Sequence, residues 1–271
     1  MALWNGKLTQ VVLTAPDPAA AIADWAPLLG GEAAPDAVHL GDDTRISVIE
    51  GDRCGLVEAR FLAGPALVAA AQQLGAQDDG TTMTLRDPDG WVVRFEPTDD
   101  VRPMKLEAAT LSHCTLMSPT PGEQRAHYER VGFLLSDAMG EMFFWLRPNP
   151  VHHSLAFVAG PAVGINHLAV ELPDAAAFIA AIDAVVAHGG KLEFGPGRHL
   201  FGNNLFAYFR DEHGLRWELC AELERRDPLV PPGLHPAEAR KRSVNLFGPA
   251  PPQSFLQEAG GPGPQPAMRP V

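Results

Sequence analysis

One stretch of the chain, residues 195–219, contains an unusual number of side chains capable of chemistry: GPGRHLFGNNLFAYFRDEHGLRWEL. It places His199, Tyr208 and Glu218 at successive offsets of nine and ten residues. Upstream of it lie three more histidines of interest: His113, His153 and His167. Two histidines and one carboxylate can hold a divalent iron on one face, and further imidazole and phenol groups can move protons beside it. The set therefore indicates metal chemistry coupled to proton transfer.

Each of these residues, taken singly, has an ordinary structural explanation. A histidine on a strand, such as His113 or His167, is more often a hydrogen-bonded core residue than a ligand. Glu218 is less ordinary, because alternation along a strand sends its neighbours Trp217 and Leu219 to the opposite face. The agreement of six residues in order and spacing is what favours a functional site over these separate explanations.

The elements that must position these side chains recur along the sequence. Segments 87–97 (DPDGWVVRFEP) and 211–221 (DEHGLRWELCA) each read as an acidic turn that ends in glycine, followed by a strand. Segments 8–30 and 111–133 each read as a strand, a proline-containing turn, a helix of about three turns and a glycine stop. A further strand and helix follow at 165–190. The chain is thus internally duplicated.

The duplication predicts an α+β fold of two tandem modules, each made of paired βαβββ units. We place the N-terminal module at residues 1–103 and the C-terminal catalytic module at 104–225. In the last repeat, Asp174 is the predicted N-cap of a helix, and Gly189 with Gly190 ends that helix.

A Pro/Gly-rich tail, residues 226–271, follows the second module. Its eleven prolines between 228 and 270 exclude regular helix or central strand over most of its length. We expect 229–257 to wrap over the catalytic module and about 260–271 to be loose.

Composition narrows the class of protein. The chain has 271 residues, 46% of them hydrophobic, and a formal net charge of −12, which argues against binding nucleic acid through phosphate contacts. Its three cysteines are scattered, which favours a reducing cytoplasm over a disulfide framework. The first residues lack a signal-peptide pattern, and no apolar run approaches the roughly 20 residues that span a membrane. We therefore expect a cytoplasmic protein without membrane partners.

The chain contains the run GPGRH…NN…YF…DxxG…E and the strands LSHCTL, HHSLAFVAG and INHLAVEL. Together these motifs resemble those of the vicinal oxygen chelate (glyoxalase/bleomycin-resistance) superfamily. Within it, the run is similar to the type I extradiol ring-cleavage dioxygenases. The architectural resemblance covers about 8–223 and is sharpest between 109 and 221. It implies a homo-oligomeric enzyme that cleaves the ring of a catechol with O2, in aromatic compound degradation. The implied cofactor is Fe(II), although Mn(II) can occupy the same ligands.

The same resemblance implies roles for individual residues. The implied metal ligands are His113, His167 and Glu218. His153 matches an acid–base histidine that protonates the reduced oxygen, and His199 and Tyr208 match residues that hydrogen-bond the diol. The expected pocket residues are Trp145, Phe194 and Asn204. Phe194 stands where homoprotocatechuate-type enzymes carry an arginine for a substrate carboxylate, so the resemblance implies an apolar substituent. The tail motif NLFGPAPP resembles segments that close over the site in relatives.

Two alternatives stay open at this point. Gln10 and Arg94 stand in the first module where His113 and Glu218 stand in the second, so we expect the first module to be metal-free. A glyoxalase-type lyase or isomerase would draw ligands from both modules; Gln10 fits such an enzyme and Arg94 counts against it. A non-catalytic small-molecule-binding protein of the same fold would need a pocket but no metal, and metal analysis would separate it.

Overall fold

The fold was analysed in a computed structural model that describes residues 5–239 and 244–264. Two consecutive βαβββ units form the first module. They comprise β1 (Gly6–Ala15), α1 (Pro18–Leu29), β2 (Glu32–Ala33), β3 (Ala37–His39), β4 (Arg45–Glu50), β5 (Gly55–Ala63), α2 (Pro65–Gln73), β6 (Gln77–Asp78), β7 (Met83–Arg86) and β8 (Val92–Pro97).

Two further units of the same kind form the second module. They comprise β9 (Thr110–Ser118), α3 (Pro121–Val131), β10 (Leu134–Met139), β11 (Phe143–Arg147), β12 (Leu155–Ala159), β13 (Gly164–Leu172), α4 (Ala175–Ala187), β14 (Leu192–Arg198), β15 (Leu205–Arg210) and β16 (Arg216–Ala221). The predicted fold class, two tandem modules of paired βαβββ units, is confirmed.

Local signals set the helix ends in both modules. The Asp17 carboxylate accepts a hydrogen bond from the Ala20 amide (3.0 Å) at the start of α1, which satisfies an otherwise unpaired donor of the first turn. Asp174 does the same for α4 through the Ala177 amide (2.8 Å), as predicted. Helix α1 ends at Gly30, whose φ of 70° lies in the left-handed region that glycine adopts without strain.

In each sheet the first strands of the two units lie side by side, and each of them also pairs with the last strand of its own unit. The first sheet runs β2-β3-β4-β1-β5-β8-β7-β6, and the second runs β14-β15-β16-β13-β9-β12-β11-β10 with one tail strand at its end. At the centre of the second sheet, β13 and β9 are antiparallel, whereas β16 lies parallel to β13. Three strands from two different units are therefore adjacent at the middle of the sheet.

The modules share one continuous apolar core. Helix α1 packs against α4, and α2 packs against α3. Across this contact the Trp25 indole nitrogen donates to the Asp211 carboxylate (2.7 Å), and its ring lies edge-on to Trp217 with centroids 5.6 Å apart. The buried ring at the back of β16 is thus held by the first module.

The tail packs on the second module. A short strand β17 (Gly233–His235) extends the sheet parallel to β10, and a short helix α5 (Gln253–Gln257) follows. Gly260 and Gly261 hydrogen-bond to Ile165 of β13 (2.7 and 3.1 Å), a close approach that side chains would obstruct. The expectation of a loose chain from about 260 is therefore wrong for 260–264, and 265–271 lie outside the described residues.

Of the helices that the structure describes, none has the length and apolar character required to cross a membrane.

Candidate active site

Three adjacent strands of the second sheet direct one buried residue each to the same point. His113 lies on β9, His167 on β13 and Glu218 on β16. In the register, Ala169 of β13 pairs with both His113 and Glu218, so these two side chains flank one strand. The intervening residues point to the other face, where Cys114 joins the apolar core.

The ligand atoms of these residues form a compact triangle. The His113 and His167 Nε2 atoms are 3.2 Å apart. Glu218 Oε2 lies 3.1 Å from His113 Nε2 and 3.0 Å from His167 Nε2. Two ligands at right angles, each about 2.1 Å from a metal, are separated by about 3 Å. The three atoms therefore have the spacing of one face of an octahedral site, and they form a buried cluster of potential ligands.

Neighbouring polar groups orient the ligands toward that face. His167 Nδ1 donates to Asn166 Oδ1 (2.8 Å), which leaves a lone pair on Nε2 of the neutral ring. Ser112 Oγ bonds His113 Nδ1 (3.0 Å), and the Asn204 amide donates to Glu218 Oε1 (3.1 Å). Lone pairs from three buried atoms that converge within 3.2 Å repel one another unless a cation lies between them. The residues present thus fit a divalent metal.

Charge states agree with this arrangement. Burial acts to raise the pKa of Glu218, but its close contacts with His113 and His167 outweigh burial and hold the pKa well below its usual range. Burial lowers the pKa of His167 to about 4, against the opposing effect of Glu218. A carboxylate and a neutral imidazole, the forms that bind metals, are therefore present at neutral pH.

A cavity of about 110 Å³ opens beside the triangle, with His167 and Glu218 in its wall. This is more room than one water molecule needs. Most of the remaining wall is apolar: Met117, Met139, Met142, Phe143, Trp145, Val158, Phe201, Phe255 and Leu256. The predicted pocket residues Trp145 and Asn204 do line this cavity.

The three residues expected to handle protons also face the cavity. The ring of His153 lies 4.0 Å, centroid to centroid, from that of His113. His199 Nδ1 donates to the Val244 carbonyl (2.7 Å), so its Nε2 is free to accept from the Tyr208 hydroxyl (3.0 Å). The structure therefore places a histidine on one side of the cavity and a histidine–tyrosine pair on another.

Burial keeps these groups neutral. It lowers the pKa of His153 well below the usual range, assisted by the nearby His113. It also lowers the pKa of His199 and raises that of Tyr208 well above 10, assisted by the charge of Glu218. At neutral pH the imidazoles can therefore accept protons and the phenol can donate a hydrogen bond.

Phe194 is not among the residues that line the cavity. Phe194 lies on β14 and pairs with Tyr208 on the neighbouring strand β15, so it is one strand further from the candidate ligands. Its ring stacks on Tyr208 at 6.0 Å and contacts Phe255 at 5.1 Å. Phe194 therefore supports Tyr208 from behind, a position that corrects the sequence-based assignment to the pocket wall.

Sequence reasoning missed several residues around the site. Thr115, two residues after His113 on the same face of β9, lines the cavity. Its buried hydroxyl has no hydrogen-bond partner within the described part of the chain. Strand alternation could have identified this residue. Phe255 of α5 covers Tyr208 with ring centroids 4.7 Å apart. His235 of β17 is only partly exposed and bonds Asp137 (2.9 Å). These last contacts arise from tail packing, which local sequence does not reveal.

Comparison with known proteins identifies the class. Residues 110–219 match the Glyoxalase/Bleomycin resistance protein/Dioxygenase superfamily. This segment runs from the start of β9 into β16 and contains all three ligand residues. The match to that superfamily therefore covers most of the second module.

Individual relatives narrow the resemblance. Metapyrocatechase 2 of Cupriavidus necator is 26% identical over 243 residues, which cover 78% of this chain and 73% of that protein. The Mn(II)-bound glyoxalase of Novosphingobium aromaticivorans superposes with a TM-score of 0.80 at 21% identity, covering 98% of this chain and 97% of its own. Homoprotocatechuate 2,3-dioxygenase of Arthrobacter globiformis gives 0.79 at 18% identity, with 98% and 96% covered. The structures establish the shared fold, and the set as a whole confirms the resemblance to type I extradiol dioxygenases.

Proposed function

We propose that this chain is an iron(II)-dependent extradiol dioxygenase that cleaves the ring of a catechol-type substrate with O2, as part of aromatic compound degradation. One observation carries the proposal. The triangle of His113, His167 and Glu218 borders a largely apolar cavity that also contains His153, His199 and Tyr208. Metal ligands, proton-handling groups and space for a ring thus meet in one place.

In this proposal His113, His167 and Glu218 hold the iron. Iron(II), when bound, supplies coordination positions for the diol and for dioxygen and a route for electrons between them. Ligands on three strands of one sheet are fixed more rigidly than ligands on loops.

Tyr208 and His199 bind and orient the diol. The Tyr208 hydroxyl, at 3.0 Å from His199 Nε2, can turn toward a substrate oxygen while the imidazole stays anchored by the Val244 carbonyl. The stacked contact of His199 with Phe206, with centroids 3.9 Å apart, restricts the ring further. This rigidity favours one orientation of the diol.

His153 accepts and returns protons at Nε2, because its Nδ1 is bonded to His152 (2.9 Å). An imidazole that is neutral at the working pH can first accept a proton and then donate it, which suits His153 to both roles. We infer that it takes up a diol proton and delivers it to the reacting oxygen.

The walls indicate the substrate class. Apolar side chains, among them aromatic rings and methionines, form more than half of the cavity lining, and Glu258, the described charged residue that lines it besides Glu218, is acidic. An anionic substituent would meet repulsion there and lose its hydration. We therefore propose catechols with apolar substituents as substrates.

The direct test is ring cleavage itself. The protein is loaded anaerobically with Fe(II) and mixed with oxygenated buffer and catechol, 3- and 4-alkylcatechols or 2,3-dihydroxybiphenyl. Oxygen consumption matched by a yellow product that contains both atoms of O2 is the expected result. The His113→Gln variant should lose this activity, whereas His213→Gln, a partly exposed histidine bonded to Asp24 (3.0 Å), should keep it. Bound iron without oxygen uptake on any of these diols would contradict the proposal.

A glyoxalase-type lyase or isomerase is the second candidate, because one structural neighbour is a Mn(II)-bound glyoxalase. Such an enzyme would recruit ligands from both modules. Here Gln10 is engaged by Ser47 (2.8 Å) and Arg45 (2.9 Å), and Arg94 is paired with Glu58 (2.6 Å). Turnover of a thiohemiacetal without oxygen would support this second candidate and displace the first.

A further inference from the structure

A hydrogen-bonded row of buried side chains leads away from His153. Its Nδ1 lies 2.9 Å from His152 Nδ1, and His152 Nε2 lies 2.7 Å from Asp137 Oδ2. Asp137 accepts two more charged or polar donors, Arg226 Nη1 (3.0 Å) and His235 Nε2 (2.9 Å). The row runs from the cavity to the tail strand β17.

The donor and acceptor properties of these side chains determine which ring nitrogens in the row carry protons. An ionised carboxylate only accepts hydrogen bonds, so His152 must donate to Asp137 from Nε2. A neutral His152 then has its lone pair on Nδ1, and the bond to His153 Nδ1 requires that His153 supply the proton. The remaining nitrogen of His153, Nε2, is left with a lone pair on the cavity side.

We infer that Asp137 and His152 are positioning residues that hold His153 in the Nδ1–H tautomer, with Nε2 unprotonated toward the cavity. A ring held this way can receive a substrate proton without first rearranging. The kinetic consequence rests on the proposed function; the tautomer itself does not.

The charge states of the row support this inference. Burial acts to raise the pKa of Asp137, but hydrogen bonds from His152 and His235 and the charge of Arg226 bring it below the usual range. Burial lowers the pKa of His152, against the opposing effect of Asp137.

The tail holds the outer end of the row. Gly233 of β17 pairs with Asp137 of β10, and a Cβ atom at Gly233 would overlap the Asp137 carboxylate. His235 on the same strand bonds the carboxylate directly. Gly233→Ala would therefore displace Asp137 without changing any charge or any residue in the cavity.

The tautomer can be read without any catalytic assay. Full-length protein with ¹⁵N-labelled histidine is loaded with Zn(II), a diamagnetic substitute, and the His153 ring signals are assigned with the His153→Gln variant. The expected spectrum shows a protonated Nδ1 and an unprotonated Nε2. In Asp137→Asn the carboxylate that compels His152 Nε2 to donate is replaced by a neutral amide that can donate as well as accept, so His153 should populate both tautomers and its Nε2 become protonated in part of the molecules. Asp211→Asn, which removes a half-buried carboxylate bonded to two tryptophans, is the matched control and should leave the His153 signals unchanged.

Kinetics give the second readout. With Fe(II), Asp137→Asn should lower kcat by about 10- to 100-fold, with metal content and the KM for the diol unchanged. Gly233→Ala should shift kcat in the same direction, and Asp211→Asn should shift neither parameter. A protonated Nε2 in the parent protein, or an unchanged His153 tautomer in both Asp137→Asn and Gly233→Ala, would overturn the inference. Absence of ring cleavage would instead overturn the proposed function and leave the NMR result to stand by itself.

Discussion

The two modules share an architecture and differ at three equivalent positions. Register aligns Gln10, Glu58 and Arg94 of the first sheet with the candidate ligands of the second: His113, His167 and Glu218. In the first module the Glu58 carboxylate is paired with Arg94 (2.6 Å) and Arg60 (2.5 Å). In the second, Glu218 faces two imidazoles and, among the described residues, forms no ion pair with a guanidinium group.

The difference shows how one scaffold neutralises a buried carboxylate in two ways. A buried charge is costly unless it is paired. The first module pairs Glu58 with cations of its own chain, whereas the second leaves Glu218 with neutral partners and therefore favours a cation from solution. The same sheet is thus a structural partner in one copy and a candidate metal centre in the other.

The largest expected effect tests this contrast directly. Glu218→Gln should weaken metal binding by about 100-fold or more, because a ligand charge is lost. Glu58→Gln should leave metal binding unchanged, because its partners are guanidinium groups. Metal content after dialysis, measured by mass spectrometry, checks both variants. Equal metal loss in the two variants would contradict the separation of roles.

Acidification should lower the stability of the metal-free protein, because His167 and Glu218 of the second module have lowered pKa values in the folded chain. The pKa of His167 is about 4 in the folded chain and about 6.5 when unfolded, so the unfolded state binds more protons between these values. The stability that neutral His167 contributes is complete above pH 6.5 and falls, by on the order of 2–3 kcal/mol, as the pH drops toward 4. The lowered pKa of Glu218 acts in the same direction.

Urea unfolding of the metal-free protein at pH 7 and pH 5 measures this effect. His167→Gln should reduce the difference between the two pH values, and His213→Gln should preserve it. A free energy of unfolding that rises on acidification would contradict the assignment.

A smaller effect is expected when the ion-pair cluster of the first module is disturbed. Glu58→Gln leaves Arg60 and Arg94 without their common partner, and we expect a loss of about 1–3 kcal/mol in the free energy of unfolding. The guanidinium groups are partly exposed, so water compensates in part. Chemical denaturation checks the value, and a gain in stability would show that the cluster is strained.

The smallest effect should be the same in both modules. Asp17→Ala and Asp174→Ala each remove a helix N-cap, and each should cost about 1 kcal/mol. Thermal unfolding of the two variants side by side measures it. A much larger loss for one of them would mean that the modules depend unequally on their helices.

Much of this fold could be predicted from the sequence, because its signals are local. Repeated strand–turn–helix patterns and the acidic turns at Asp87 and Asp211 were sufficient for the four βαβββ units. The candidate ligands His113 and Glu218 were recognisable by their motifs, and strand alternation separated the face of Glu218 from that of Trp217 and Leu219.

What the sequence did not reveal depends on distant contacts. The position of Asp137 depends on its pairing with Gly233, which lies almost a hundred residues later in the chain. The local sequence around Phe194 does not indicate that Tyr208 lies between this side chain and the cavity. The partnership of Glu58 with Arg60 and Arg94 likewise emerges only once β5 and β8 lie side by side.

The division of the ligands between units has an evolutionary consequence. His113 belongs to one βαβββ unit, and His167 and Glu218 belong to the next. A solitary unit can therefore supply only part of the set, and a centre of this kind exists only where two units meet, as separate chains or as one fused chain. The pairing of two units thus creates the boundary on which the centre depends, and a chain with two such boundaries can keep the ligand set at one while it holds glutamine, glutamate and arginine at the other.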